Sequence, residues 1–165
     1  MTPVRVYIDV SIPISMVLKI GSQAPDFEGI TDTGLKFKLS DTLREKDVIL
    51  YFYPKDETPG CSVEACSFRD NWDELKKLNA EVVGISSDSI ESHRKFREHR
   101  SLKFILISDE DQNIRLLYDV KGRIVPPRVT YVISRSGKII HVYNSQFAPR
   151  KHVQEAMKAL LESGK

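Results

Sequence analysis

Short apolar runs, each closed by turn-forming or charged residues, recur along the chain from residue 17 onward. Val48 to Tyr53, Val82 to Ile85, Phe104 to Ile107 and Val129 to Ile133 are rich in β-branched and aromatic residues and do not alternate with polar ones. That pattern predicts strands covered on both faces. Ile139 to Tyr143 closes the series after the turn Ser136-Gly137-Lys138. Ahead of these strands, Asp26 to Ile30 and Lys36 to Ser40 flank Thr31-Asp32-Thr33-Gly34, which predicts an N-terminal β-hairpin. Apolar residues at helical spacing predict helices at Ser62 to Leu78, Ile90 to His99, Ile114 to Tyr118 and His152 to Glu162. Strands alternating with helices predict a layered α/β fold with the sheet in the middle.

The first fifteen residues follow a different pattern. Val4, Val6, Ile8, Val10 and Ile12 alternate with other residues between Pro3 and Pro13, which suits a strand added at a sheet edge or a subunit contact. The other reading is a tail, with Met16 as the natural beginning; both stay open. Residues 1–15 are therefore read as an N-terminal extension and 16–165 as a single domain, with no internal repeat or linker dividing it.

Composition narrows the function. With 29% charged residues of both signs interleaved and a net charge of +2, the chain carries no field that points to nucleic acid or an anionic membrane. No apolar window is long enough for a membrane span, and the start lacks a charged head followed by an apolar block, so a cytoplasmic location is expected. Two cysteines cannot build a secreted disulfide framework, and in a reducing compartment a close pair is catalytic or metal-binding. His93, His99, His141 and His152 show no ligand spacing to each other or to the cysteines, so no metal and no cofactor is expected.

Thr58-Pro59-Gly60-Cys61 places a thiol where the strand ending at Tyr53 hands over to a helix. Unpaired backbone N–H groups and the positive end of the helix dipole favour the thiolate there. A thiol with pKa near about 8.5 is only about 3% ionised at pH 7, and a helix terminus shifts it by well under about one unit, so a nearby cation is needed. Lys55, Arg69 and Arg128 are the candidates, and sequence geometry does not choose among them. On a helical wheel Cys61 projects to the apolar side with Ala65, Phe68, Trp72, Leu75 and Leu78, whereas Cys66 lies about 140° further round, nearer to water. Within one helix their Cα atoms stand roughly 8.5 Å apart, beyond the ~7 Å that a disulfide spans, so bridging them requires the first turns to unwind.

Pro54-Lys55-Asp56-Glu57-Thr58-Pro59-Gly60-Cys61 resembles the P-x-x-x-T-x-x-C motif of peroxiredoxins, and Cys61-Ser62-Val63-Glu64-Ala65-Cys66 resembles their Q subgroup, the bacterioferritin comigratory proteins. Ala24-Pro25-Asp26-Phe27 and Arg128-Val129-Thr130-Tyr131 add two landmarks in the order that family requires. The departures are mild: Ser62 stands where threonine is common, and Val129 where a small polar residue is more usual.

The resemblance implies a thioredoxin-like fold, a central mixed β-sheet flanked by helices. It implies a thiol-dependent peroxidase acting on hydrogen peroxide and organic hydroperoxides, with thioredoxin or a similar dithiol as reductant, working as a monomer or weak homodimer. Cys61 would be the peroxidatic cysteine and Cys66 the resolving one. Thr58 would contact thiolate and peroxide oxygen, Pro54 shield the pocket, and Arg128 stabilise the thiolate and polarise the substrate. Singly, each has an ordinary structural explanation: Thr58 a helix cap, Pro54 and Pro59 turn formers, Arg128 an ion-pairing residue, Glu64 a first-turn carboxylate. A redox-responsive binding protein is the rival of another class. A thiol–disulfide oxidoreductase is disfavoured by the four-residue gap between the cysteines, and a cysteine hydrolase by the want of a histidine partner for Cys61.

Overall fold

The computed structural model describes residues 17–120 and 127–164. In chain order the strands are β1 (Glu28–Thr31), β2 (Lys36–Lys38), β3 (Asp47–Phe52), β4 (Ala80–Ser86), β5 (Ile105–Ser108), β6 (Val129–Ile133) and β7 (Ile139–Asn144). The helices are α1 (Leu39–Thr42), α2 (Pro59–Asp70), α3 (Trp72–Lys77), α4 (Ile90–Arg100), α5 (Asn113–Leu117) and α6 (Pro149–Ser163). The strands form one sheet in the order β2-β1-β5-β4-β3-β6-β7. It is mixed: β3 runs parallel to β4 and β4 to β5, whereas β6 is antiparallel to both β3 and β7.

β3 shows why its sequence does not alternate in polarity. Successive side chains leave a strand on opposite faces. Val48, Leu50 and Phe52 enter a core with Phe27, Leu39, Tyr118 and Tyr131, while Ile49, Tyr51 and Tyr53 enter a second core with Phe68, Phe96 and Leu160. Both faces of the strand are covered, as the apolar run predicts. The second core is roofed by α2, α4 and α6, and Cys61 sits in it.

The predicted strands and hairpin are present, with no end shifted by more than two residues, a normal margin for element boundaries. Three differences have physical causes. The helix expected from Ser62 to Leu78 is two helices, broken at Asn71 (φ −100°, ψ 11°), whose side-chain amide (2.8 Å) shares the Ser67 carbonyl with its own backbone N–H (3.2 Å). The second hairpin run stops at Lys38 because Asp26 Oδ1 accepts the Ser40 N–H at 2.9 Å and turns the chain into α1. The last helix starts at Pro149 rather than His152, since proline's missing N–H costs nothing in a first turn. The expected edge strand or tail at the N-terminus lies outside the described residues.

Candidate active site

Between β3 and α2 the chain makes a tight loop from Pro54 to Glu57, anchored from below by Asp56. The Asp56 N–H donates to Asp88 Oδ2 at 2.8 Å. Its carboxylate accepts from the Tyr53 hydroxyl at 2.6 Å and the Ser92 hydroxyl at 2.9 Å, and meets His93 Nδ1 at 2.6 Å. His93 Nε2 lies 3.0 Å from Ile107 O, and a carbonyl only accepts, so Nε2 donates there while Nδ1 against the Asp56 carboxylate favours the cationic imidazole. Burial works against that charge, but the Asp56 hydrogen bond and charge outweigh it and raise His93 above its usual 6.5. Glu57 then takes a left-handed φ of 64°. Thr58 occupies the cap position of α2, with its hydroxyl donating to Lys55 O at 2.9 Å. Pro59 opens the helix, so Cys61 falls in its first turn, where backbone N–H groups lack partners within the helix.

Cys61 is 1% exposed, and of the three candidate cations it is Arg128 that reaches it. Arg128 Nη2 donates to Cys61 Sγ at 3.4 Å and Nη1 to Glu64 Oε1 at 2.7 Å, while Nε reaches Gln146 O at 3.4 Å. Arg69 instead donates to Asp70 Oδ1 and Arg100 O, and Lys55 is exposed. A hydrogen bond from a guanidinium to sulfur is stronger for the anion than for the thiol. Burial disfavours the Arg128 charge, but Glu64 and then Cys61 outweigh it, so its pKa is raised. Pro54 is half-buried where the loop leaves β3.

Glu64 itself is fully buried, which pushes its carboxyl up to about 8 although Arg128 pulls it down. Its Oε2 lacks a hydrogen-bond partner and stands 3.6 Å from His152 Nδ1. His152 Nε2 donates to Ser145 O at 2.7 Å, so Nδ1 accepts from the Thr130 hydroxyl at 2.8 Å. Burial holds this histidine down at about 4, and Arg128 adds to that effect, so it is neutral at pH 7.

Cys66 lies on the same helix, half-buried, beside an open groove bordered by Val63, Asp70, Arg100 and Arg150. Both cysteines are free. With both on intact α2, the separation of about 8.5 Å expected from helical geometry applies, and the helix must open before their sulfurs can join.

A cysteine at the start of a helix, gripped by an arginine from an adjacent strand end, can be compared with known proteins. The AhpC/TSA family pattern matches residues 20–142. The chloroplastic peroxiredoxin Q of Sedum lineare is 45% identical over 143 residues, which cover 85% of this chain and 76% of that one. This chain belongs to the AhpC/TSA family, on its peroxiredoxin Q branch. The chloroplastic peroxiredoxin Q of Suaeda salsa is 42% identical over 155 residues, 91% of this chain and 72% of its own. Among solved structures, peroxidoxin BcpB of Mycobacterium tuberculosis superimposes with a TM-score of 0.84 at 35% identity, covering 88% of this chain and 97% of its own. A cysteine-to-serine mutant of Xylella fastidiosa PrxQ gives 0.82 at 27% identity, covering 90% and 98%. The thioredoxin-like fold implied by the sequence is the one observed.

Several residues of this peroxiredoxin site escape a reading of the sequence. Glu64 carries a signal in its spacing, three residues after Cys61 on the same side of one helix, yet it resembles any first-turn carboxylate. Asp56 and His93 stand 37 positions apart, and nothing local marks them as partners. Arg115, among apolar helical residues, and His152, in a charged first turn, are 3% and 0% exposed, a burial no composition reveals.

Proposed function

We propose that the protein is a thiol-dependent peroxidase in which Cys61 is the attacking thiolate and Cys66 the resolving thiol. The observation that carries this reading is the Arg128 guanidinium held 3.4 Å from a sulfur in the first turn of α2, in a chain of the peroxiredoxin Q branch. Two sources of positive potential converge on that sulfur, and both favour the nucleophilic anion.

The thiolate attacks the outer oxygen of a hydroperoxide, the O–O bond breaks, and the leaving oxygen departs as water or an alcohol after taking up a proton. Cys61 becomes a sulfenic acid. Negative charge moves from sulfur to the departing oxygen, and a fixed guanidinium nearby stabilises it without reorganising. Thr58 and Pro54 border the same turn; a hydroxyl released from Lys55 O would serve the peroxide, and the proline ring would limit water. After α2 opens, the Cys66 thiol displaces the hydroxyl of the sulfenic acid, forming the disulfide and releasing water, and this intercepts further oxidation.

A dithiol such as thioredoxin returns both cysteines to thiols by exchange. Hydrogen peroxide and organic hydroperoxides are the substrate class, the assembly a monomer or weak homodimer, and the setting the reducing cytoplasm. Peroxide turnover with thioredoxin and its reductase tests the reading. Sustained consumption by the parent and none by Cys61→Ser is expected. A parent that oxidises once, changes shape and consumes no more peroxide is instead a redox-responsive binding protein.

A further inference from the structure

Arg115, in α5, has a buried guanidinium directed at main-chain carbonyls. Nη2 donates to Tyr53 O at 2.9 Å and Nη1 to Pro127 O at 3.4 Å, and the group lies over the Phe52 ring at 5.6 Å. Tyr53 immediately precedes Pro54, and Pro127 immediately precedes Arg128. The β3–β6 ladder ends at Phe52↔Val129, so these two carbonyls lie just where the strands stop pairing. One cation thus bridges the two chain segments that deliver Cys61 and the arginine that grips it.

A buried cation is costly unless its donors are satisfied, and an apolar side chain packed on Phe52 would fill the same space without that cost. α5 is itself held in place by Asp109, which is 2% exposed and accepts the N–H groups of Ile114 at 3.0 Å and Arg115 at 2.9 Å. Burial lowers the Arg115 pKa from its usual value, and Asp109, then Tyr53 and Cys61, oppose that shift without cancelling it.

We infer that Arg115 is a positioning residue for the peroxide reaction, clamping the carbonyls of Tyr53 and Pro127 so that the loop carrying Cys61 and the strand end carrying Arg128 keep their spacing. The inference rests on the proposed role of Cys61. Displacements of about 1 Å in a reacting group can cost up to two powers of ten in rate, so loss of the clamp should be visible in the oxidation step while the reductant's KM is unchanged.

The test is a double-mutant cycle on the full chain with Arg115→Met, Arg128→Met and both, reading the second-order rate constant for hydrogen peroxide at Cys61. Arg115→Met should slow oxidation about tenfold in the parent and less than about twofold once Arg128 is absent, with Arg115→Lys recovering part of the loss. A purely structural role would give equal losses in both backgrounds, which overturns the inference, as does an Arg115→Met protein within about twofold of the parent. If the methionine variant does not fold, Arg115→Lys takes its place in the cycle, with a smaller loss that again vanishes without Arg128. A parent whose Cys61 ignores peroxide would overturn the proposed function itself; a reactive parent matched by its Arg115 variant overturns only the clamp.

Discussion

Gly60 stands where a Cβ would lie 2.9 Å from Arg128 Nη2. The guanidinium reaches Cys61 across a position that has no side chain, and it is tied on its other edge to Glu64 at 2.7 Å. Gly60→Ala should therefore push the guanidinium away from sulfur. Alanine favours a helix over glycine by up to about 1 kcal/mol, so melting temperature should hold or rise while peroxide oxidation of Cys61 slows about tenfold. Thermal unfolding together with stopped-flow oxidation checks this, and an unchanged rate would show that the contact is dispensable.

Glu64 should make stability depend on pH in an unusual direction. Its folded value of about 8 exceeds the ordinary 4.5 because of burial, so the native state binds the proton more tightly than the unfolded chain. The contribution is full below 4.5 and is lost as pH rises through about 8. Glu64→Gln keeps the acceptor for Arg128 and cannot ionise. Denaturant unfolding from about pH 5 to pH 9 should show the parent losing stability relative to Glu64→Gln as pH rises.

The Asp56–His93 pair titrates in the same sense for a different reason. His93 is raised above its usual 6.5 by the carboxylate, so its contribution is complete below 6.5 and fades as pH climbs through the raised value. Breaking a buried ion pair typically costs about 3–5 kcal/mol. His93→Gln should approach that loss near about pH 6 and show a clearly smaller one near about pH 9, as measured by urea unfolding. Because the pair anchors the Pro54–Glu57 loop, peroxide oxidation should slow along with it.

Oxidation should melt the start of α2. Cys61 and Cys66 share one intact helix in the reduced protein, and the disulfide demands a separation that a helix does not supply. Hydrogen exchange at the amides of residues 60–66 should accelerate after one equivalent of peroxide while β3 and β4 stay protected. The single tryptophan, Trp72, begins α3 just beyond α2 and offers a fluorescence readout of the same change.

Local patterns exposed the scaffold well. β6 has the predicted bounds because a compact β-branched and aromatic run closed by turn-forming residues leaves few alternatives, and the opposite placements of Cys61 and Cys66 follow from helical spacing alone. The break at Asn71 was illegible because the apolar spacing of Trp72, Leu75 and Leu78 continues past it, and neither the non-helical backbone of Asn71 nor its amide's bond to Ser67 O leaves a mark in that spacing. The electrostatics were half legible. Arg128 stood among three candidates, and its selection required the β3–β6 register that brings residue 128 beside the end of β3. Arg115 and His93 draw their meaning from carbonyls and carboxylates far away in sequence, information that neither periodicity nor spacing carries.

The most direct test treats Cys66→Ser and Cys61→Ser with one equivalent of hydrogen peroxide and follows the intact mass. Cys66→Ser should gain the mass of one oxygen at Cys61, trappable as a sulfenic acid, and then stall without an external thiol. Cys61→Ser should remain unmodified over the same interval. Oxidation of Cys61→Ser at the parent's rate, or an unreactive Cys61 in Cys66→Ser, would contradict the assignment of the nucleophile.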